Sequence, residues 1–286
     1  MSFKTSYIEP FNSIQFGFNA NIDILRDDTI HPIVSGNKWR KLKYIIDDFK
    51  KSGKEVLVTF GGAYSNHLIA TAFAGKFFGI KTFGFVRGDE ARPSNHYELL
   101  CIENDMELMH VSRSDYINKQ QLFEKFFDSK KAYFVDEGGN HPLAIKGCEE
   151  IVDTFKKHYN YVVLSLGTGT TLAGIVSAIE KKQINTKILG ISSLKNNFSL
   201  DERMQKYSQK NWQIFHNFHR GKYAKMDSDL LTFIKDIYEE TGVKTDPIYT
   251  GKMLMAVREL YQQKYINSTD KVLLIHTGGI YSFKED

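Results

Sequence analysis

Three times in this chain a short apolar run rich in β-formers stops abruptly at a polar, glycine-bearing segment. Residues 55–60 run into Gly61-Gly62-Ala63-Tyr64-Ser65-Asn66-His67, and residues 161–166 into Gly167-Thr168-Gly169-Thr170-Thr171. Residues 272–275 run into His276-Thr277-Gly278-Gly279. Runs that are apolar on both faces suit strands of a parallel sheet covered by helices on each side. Residues 81–86, 132–135 and 188–191 read the same way. Between these runs Leu42, Ile45, Ile46 and Phe49 recur at helical spacing ahead of Gly53, and residues 67–78, 175–181 and 253–261 also read as helices. The alternation predicts a doubly wound α/β fold. In such sheets ligands bind at the carboxyl ends of strands, where all three polar segments fall.

Composition narrows the function classes. With 286 residues the chain is long enough for one large α/β unit or two interlocked lobes, and its 42% hydrophobic and 25% charged residues argue against wholesale disorder. The net charge of +4 comes from 38 basic and 34 acidic residues that are interspersed, as in residues 41–55. That pattern reads as solvated helix faces, and a nucleic-acid partner is not expected. Cys101 and Cys148 stand far apart with no CxxC, so a zinc knuckle or thioredoxin-type motif is not supported and no metal is expected. Residues 1–19 lack a continuous apolar stretch of signal-peptide type, and charges break every apolar run well short of the ~20 residues a membrane span needs. The expectation is a soluble, cytoplasmic protein with reduced thiols and no membrane partner.

Each polar segment has a chemical reading and a plain one. In the first, two glycines let a ligand approach the backbone, and Ser65 and Asn66 fall near a helix start; an ordinary N-cap has the same look. Residues 167–171 offer N–H groups, hydroxyls and a helix N-terminus, the ingredients of a phosphate cradle. They form neither a Walker loop nor a full GxGxxG, and the plain reading is a tight turn. Thr277, Gly278 and Gly279 form either a ligand floor or a terminal turn. A fourth segment, Ser35-Gly36-Asn37-Lys38-Trp39-Arg40-Lys41, places Lys38 at the opening of a helix, where the macrodipole disfavours a cation. Such a lysine is either solvated or functional, and one functional use is capture of an aldehyde by the amine.

Taken together and in order, the segments resemble the 1-aminocyclopropane-1-carboxylate (ACC) deaminase and D-cysteine desulfhydrase family. This is a branch of the pyridoxal 5′-phosphate (PLP) enzymes with the tryptophan-synthase β-subunit fold. Gly36-Asn37-Lys38-x-Arg40-Lys41-Leu42 is similar to the family's lysine motif, and Gly61-Gly62-x-Tyr64-Ser65-Asn66-His67 to its GGxxSNH segment. Residues 137–142, 246–252 (DPIYTGK) and 275–279 match further blocks. The resemblance implies that Lys38 bonds the cofactor aldehyde and later moves the α-proton. It implies that Asn66 meets the phenolic oxygen and that Gly167, Thr168, Gly169, Thr170 and Thr171 cup the phosphate, with Asn37, Thr277 and Gly278 also at the cofactor. Ser65, Asn66 and His67 become substrate ligands, Ser65 also a candidate acid/base. Tyr249 and Tyr223 become pocket tyrosines.

The resemblance further implies PLP fold type II: two lobes, each a twisted, mostly parallel sheet flanked by helices. Residues 44–143 would be inserted into a larger PLP-binding lobe made of 1–43 and 144–286, and a homodimer would be usual. ACC deaminases resemble one another in carrying Glu after the DPxY tyrosine and Leu in the H-x-G-G turn, whereas this chain has Thr250 and Thr277. A neutral hydroxyl at the pyridine nitrogen makes the ring a milder electron sink, which suits β-elimination. The reading is a PLP lyase acting on D-cysteine or a similar small β-substituted amino acid. The alternatives are ACC deamination and, in other classes, a PLP-binding protein without turnover or a phosphate- or nucleotide-binding module.

Overall fold

An apolar run becomes a central strand when both of its faces are covered, and here the covering helices come from the sequence between the runs. In the computed structural model, which describes residues 3–18, 21–88, 94–194, 198–221 and 226–279, the elements follow in chain order. They are β1 (Ile8–Pro10), β2 (Ile22–Arg26), α1 (Asn37–Ser52), β3 (Val56–Gly62), α2 (Asn66–Phe78), β4 (Lys81–Arg87), α3 (His96–Glu103) and β5 (Met106–Val111). Then come α4 (Lys119–Phe126), β6 (Ala132–Val135), α5 (Pro142–Glu149), β7 (Tyr161–Leu166), α6 (Thr170–Lys182) and β8 (Lys187–Ser192). The last are α7 (Ser199–Gln205), β9 (Trp212–Phe215), α8 (Ser228–Thr241), α9 (Thr250–Gln262) and β10 (Val272–His276).

The chain divides into two units, Lys38–Gly147 and Met1–Asn37 with Cys148–Asp286. The boundaries expected from the sequence, 43/44 and 143/144, fall inside α1 and α5.

The continuous unit holds a four-stranded parallel sheet in the order β5-β4-β3-β6. Side chains alternate across a strand, so β3 faces both ways. Val58 and Phe60 pack with Phe83, Phe85 and Phe123. Leu57 packs with Tyr133, Val135 and the Ile45 and Phe49 stripe of α1. The helical spacing of Leu42, Ile45, Ile46 and Phe49 therefore marks a buried stripe, as the sequence suggests. The solvated face expected of residues 41–55 does not hold throughout: Lys41 is buried. Lys41 Nζ donates to the Gly138 carbonyl at 2.9 Å, which gives its ammonium a partner inside.

The discontinuous unit holds six strands in the order β1-β2-β10-β7-β8-β9, parallel except for β1 against β2. Its core joins Ile22, Ile24, Val163, Leu189, Ile191 and Leu274 to Leu254 and Val257 of α9. Among the described residues no helix is long and apolar enough to cross a membrane.

Candidate active site

In the discontinuous unit β7 ends at Leu166, and the chain turns through Gly167 and Thr168 into α6. Gly169 stands at the N-cap with φ +79°, a left-handed conformation that glycine adopts without strain, and a Cβ there would come within 2.7 Å of Leu200. No side chain caps this helix. The first helical bond runs from Ala173 N to Gly169 O, so the N–H groups before it have no partner inside the helix. Two side chains hold the turn. Asn37 Nδ2 donates to Thr171 Oγ1 at 2.8 Å, and Arg203 donates to Thr168 O at 2.7 Å and to Thr170 Oγ1 at 3.4 Å.

Asn37 also ties this loop to the end of β10. Its backbone N–H donates to Thr277 O at 3.2 Å. Gly36 has φ +60°, and a Cβ on it would overlap that same carbonyl oxygen. Gly279 N donates to Ser35 Oγ at 3.2 Å, so two segments far apart in sequence lie backbone to backbone. His276 fixes the turn from beneath, accepting from Gly278 N at Nδ1 and donating from Nε2 to Lys244 O. The buried Thr277 hydroxyl sits 3.3 Å from Ser165 Oγ.

Tyr249 borders the same loop: its ring comes 3.4 Å from where a Cβ on Gly167 would stand. Asp246 positions it. That buried carboxylate accepts from the backbone N–H groups of Ile248, Tyr249 and Thr250 and from Thr250 Oγ1 at 2.7–2.9 Å. The Thr250 hydroxyl is thus committed to Asp246. Tyr223 lies outside the described residues.

In the continuous unit Lys38 is the second residue of α1 and half-buried. Ser65 caps α2, its Oγ accepting from Leu68 N at 3.3 Å, so the ordinary capping role is realised. Asn66 follows, buried, and its Oδ1 has no partner among the described residues. His67 is buried with Nε2 2.9 Å from Thr59 Oγ1. Burial, and then the ammonium groups of Lys41 and Lys38, push its pKa well below the ordinary histidine value, so the ring is neutral at physiological pH.

Residues 15–278 match the family model described as pyridoxal-phosphate dependent enzyme. The chain belongs to that family. Its cofactor is PLP. Similarity extends along the whole chain. A Thermotoga maritima protein named "Putative 1-aminocyclopropane-1-carboxylate deaminase" is 27% identical, covering 98% of this chain and 96% of its own length. The mitochondrial bifunctional D-cysteine desulfhydrase/ACC deaminase of Arabidopsis thaliana is 26% identical over 90% of this chain and 72% of its own length. Among solved structures, an ACC deaminase homologue superposes with TM-score 0.76 at 24% identity, covering 91% of this chain and 84% of that one. That likeness fixes the fold as the PLP-enzyme type II architecture.

The residues present fit the cofactor of the family. A helix N-terminus that no side chain caps has N–H groups to offer a phosphate. A buried amide oxygen without a partner, on Asn66, is a polar atom still to be satisfied. Three supporting residues escape a reading of the sequence. Arg203 and Thr59 belong to no motif and act through backbone and ring contacts of other residues. Asp246 stands in the DPIYTGK block, and an acid just before a helix start is a capping signal that could have shown its role.

Proposed function

We propose that this enzyme eliminates the β-substituent of D-cysteine, or of a similar small β-substituted amino acid, to give pyruvate, ammonia and the β-group, sulfide from cysteine. When bound, PLP supplies an electron sink for the charge that develops at the substrate α-carbon. Lys38 is the amine that bonds the cofactor aldehyde and, once released, takes the α-proton. The N–H groups and hydroxyls of residues 167–171 hold the phosphate, with Asn37 and Arg203 keeping that turn in shape. Asn66 serves the phenolic oxygen. Ser65 and the first residues of α2 receive the substrate carboxylate, and Tyr249 borders the turn of residues 167–171.

The observation that carries the choice of reaction is the Thr277 hydroxyl, buried and paired with the neutral hydroxyl of Ser165. A hydroxyl does not enforce protonation of the pyridine nitrogen as a carboxylate would. The sink is correspondingly milder, enough where a good leaving group departs. ACC has no α-proton and no such leaving group, and opening its ring demands more. Thr250 points the same way. Its hydroxyl is bound to Asp246, and a glutamate there would set a second carboxylate beside a buried one. The names of the relatives include both activities, so ACC deamination is the second reading.

The test is kcat/KM for D-cysteine, β-chloro-D-alanine, L-cysteine and ACC on one preparation. The D-amino acids should lead; ACC turnover equal to that of D-cysteine refutes the proposal. The same proposal includes a homodimer acting in the cytoplasm, for which light scattering of the purified holoenzyme and fractionation of the source cells are the checks.

A further inference from the structure

Thr59 lies in β3, fully buried, and its hydroxyl has two neighbours. One is the Val135 carbonyl at 2.9 Å and the other is His67 Nε2, also at 2.9 Å. A threonine hydroxyl has one proton to give, and a carbonyl oxygen can only accept. The proton therefore goes to Val135, and the contact with His67 requires that Nε2 bear the ring proton and donate it to Thr59 Oγ1. The opposite arrangement would deprive the carbonyl of this donor in a buried place, a costly exchange. Nδ1 is left with a lone pair. It is shut off from solvent and has no hydrogen-bond partner among the described residues.

The surroundings indicate what that lone pair serves. Lys38 and Lys41 are three residues apart and share one face of α1. A Cβ on Gly139 would lie 3.4 Å from His67 Nδ1, 3.2 Å from its Cε1 and 3.4 Å from Lys41 Cδ. The Nδ1 edge of the ring and the stem of Lys41 thus border one spot, and the Lys38–Lys41 face of α1 is turned toward that edge. Lys41 already donates to Gly138 O.

We infer that Thr59 is a positioning residue for the reaction, locking His67 in the tautomer whose Nδ1 lone pair is kept open to receive a hydrogen bond from Lys38 when the lysine turns toward it in the reaction. This gives His67 a task other than the substrate contact expected from the sequence, and it rests on the assignment of Lys38 as the cofactor lysine. A neutral imidazole can accept from the freed lysine and orient it, whereas a protonated ring would have no lone pair to offer and would repel the ammonium. No proton is transferred to the ring; the contact is a hydrogen bond. Burial and the two flanking ammonium groups keep the imidazole uncharged.

The experiment is nitrogen NMR of the full chain labelled at its histidines, with cofactor and after its removal, combined with kinetics. His67 is assigned by the resonances lost in His67→Gln. The wild type should show a protonated Nε2 and an unprotonated Nδ1. In the cofactor-free chain, Lys38→Ala should displace the Nδ1 resonance. Thr59→Val, similar in shape but without the hydroxyl, should let the proton distribute over both nitrogens. It should also lower kcat about tenfold, the effect of one misplaced hydrogen bond, with KM within about twofold. Thr59→Ser should restore both readings. A protonated Nδ1 in the wild type, an Nδ1 resonance indifferent to Lys38→Ala, or a folded Thr59→Val enzyme with normal kcat overturns the inference. If Thr59→Val does not fold, the wild-type and Lys38→Ala spectra decide alone. A Lys38→Ala protein that still holds the cofactor covalently refutes the assignment of Lys38, and this inference with it; absorbance, rather than NMR, reveals that case.

Discussion

Gly36 has no side chain, and the carbonyl of Thr277 occupies the space where one would begin. Its left-handed φ is a second reason for glycine. In Gly36→Ala the backbone conformation alone costs about 1–2 kcal/mol, and the overlap must in addition push Asn37 away from Thr171 or Thr277 away from Ser165. Both urea stability and cofactor content should fall; a variant matching wild type in each would show that the contact between the two segments does not matter. Cys101 offers a residue-scale prediction in pH. Burial, and then the neighbouring Glu98, push its thiol from 9.0 up to about 12. The folded protein keeps this proton at pH values where the unfolded chain has released it. Whatever stability the protonated thiol carries is therefore complete below about 9 and lost as pH rises from 9 toward 12. The drop in urea midpoint between pH 8 and pH 10 should be smaller in Cys101→Ala, and an equal drop in both proteins would contradict this.

At the scale of elements, the start of α9 depends on one carboxylate. Asp246→Ala removes four acceptor contacts and leaves three N–H groups unpaired at a buried helix end, so a loss of about 2–4 kcal/mol is expected, with Tyr249 displaced. Thermal melting measures the first, and KM for the amino acid the second; an unchanged melting temperature would mean that water replaces the carboxylate. The elements that the sequence revealed share one property. β3, β4, β6, β7, β8 and β10 are apolar on both faces, and α1, α2, α6 and α9 show helical spacing or a run of small apolar residues. Among the rest, α8 carries the same spacing in Leu230, Phe233, Ile234 and Ile237, while the strands give a weaker signal. β2 contains Asp23, buried but bonded to Tyr159 and paired with Lys157, so a polar residue breaks its run. β5 and β9 are edge strands with several half-exposed side chains, and their patterns fade accordingly. The glycines and threonines proposed for the site stand out in the sequence because they follow apolar strand runs, and Lys38 because a cation is unusual in a first helical turn. Arg203 and Thr59 gave no signal, because each acts through the geometry of a second residue that only the fold brings near, whereas Asp246 acts on its own sequence neighbours and its capping position was legible.

For the molecule as a whole, cofactor binding is linked to folding. PLP at about 100 times its dissociation constant should add about 2.7 kcal/mol to stability and raise the melting temperature by several degrees, with a smaller rise in Lys38→Ala. An equal rise in both proteins would place the tether elsewhere. Both cysteines are buried, so native holoenzyme should resist a thiol reagent that titrates two thiols after denaturation. The place of β10 has a consequence for how the protein is made. Residues 272–276 leave the ribosome after every other described strand, yet they pair with β2 on one side and β7 on the other. While the chain is still emerging, β2 and β7 have no partner between them. The Lys38–Gly147 unit, by contrast, comes out as one uninterrupted stretch with its sheet complete. Synthesis therefore delivers a finished small unit attached to a second sheet that still lacks its β10, and the turn of residues 167–171 and the Thr277 turn come together only after translation has passed β10. A ribosome stalled before that point should carry a nascent chain that binds no cofactor.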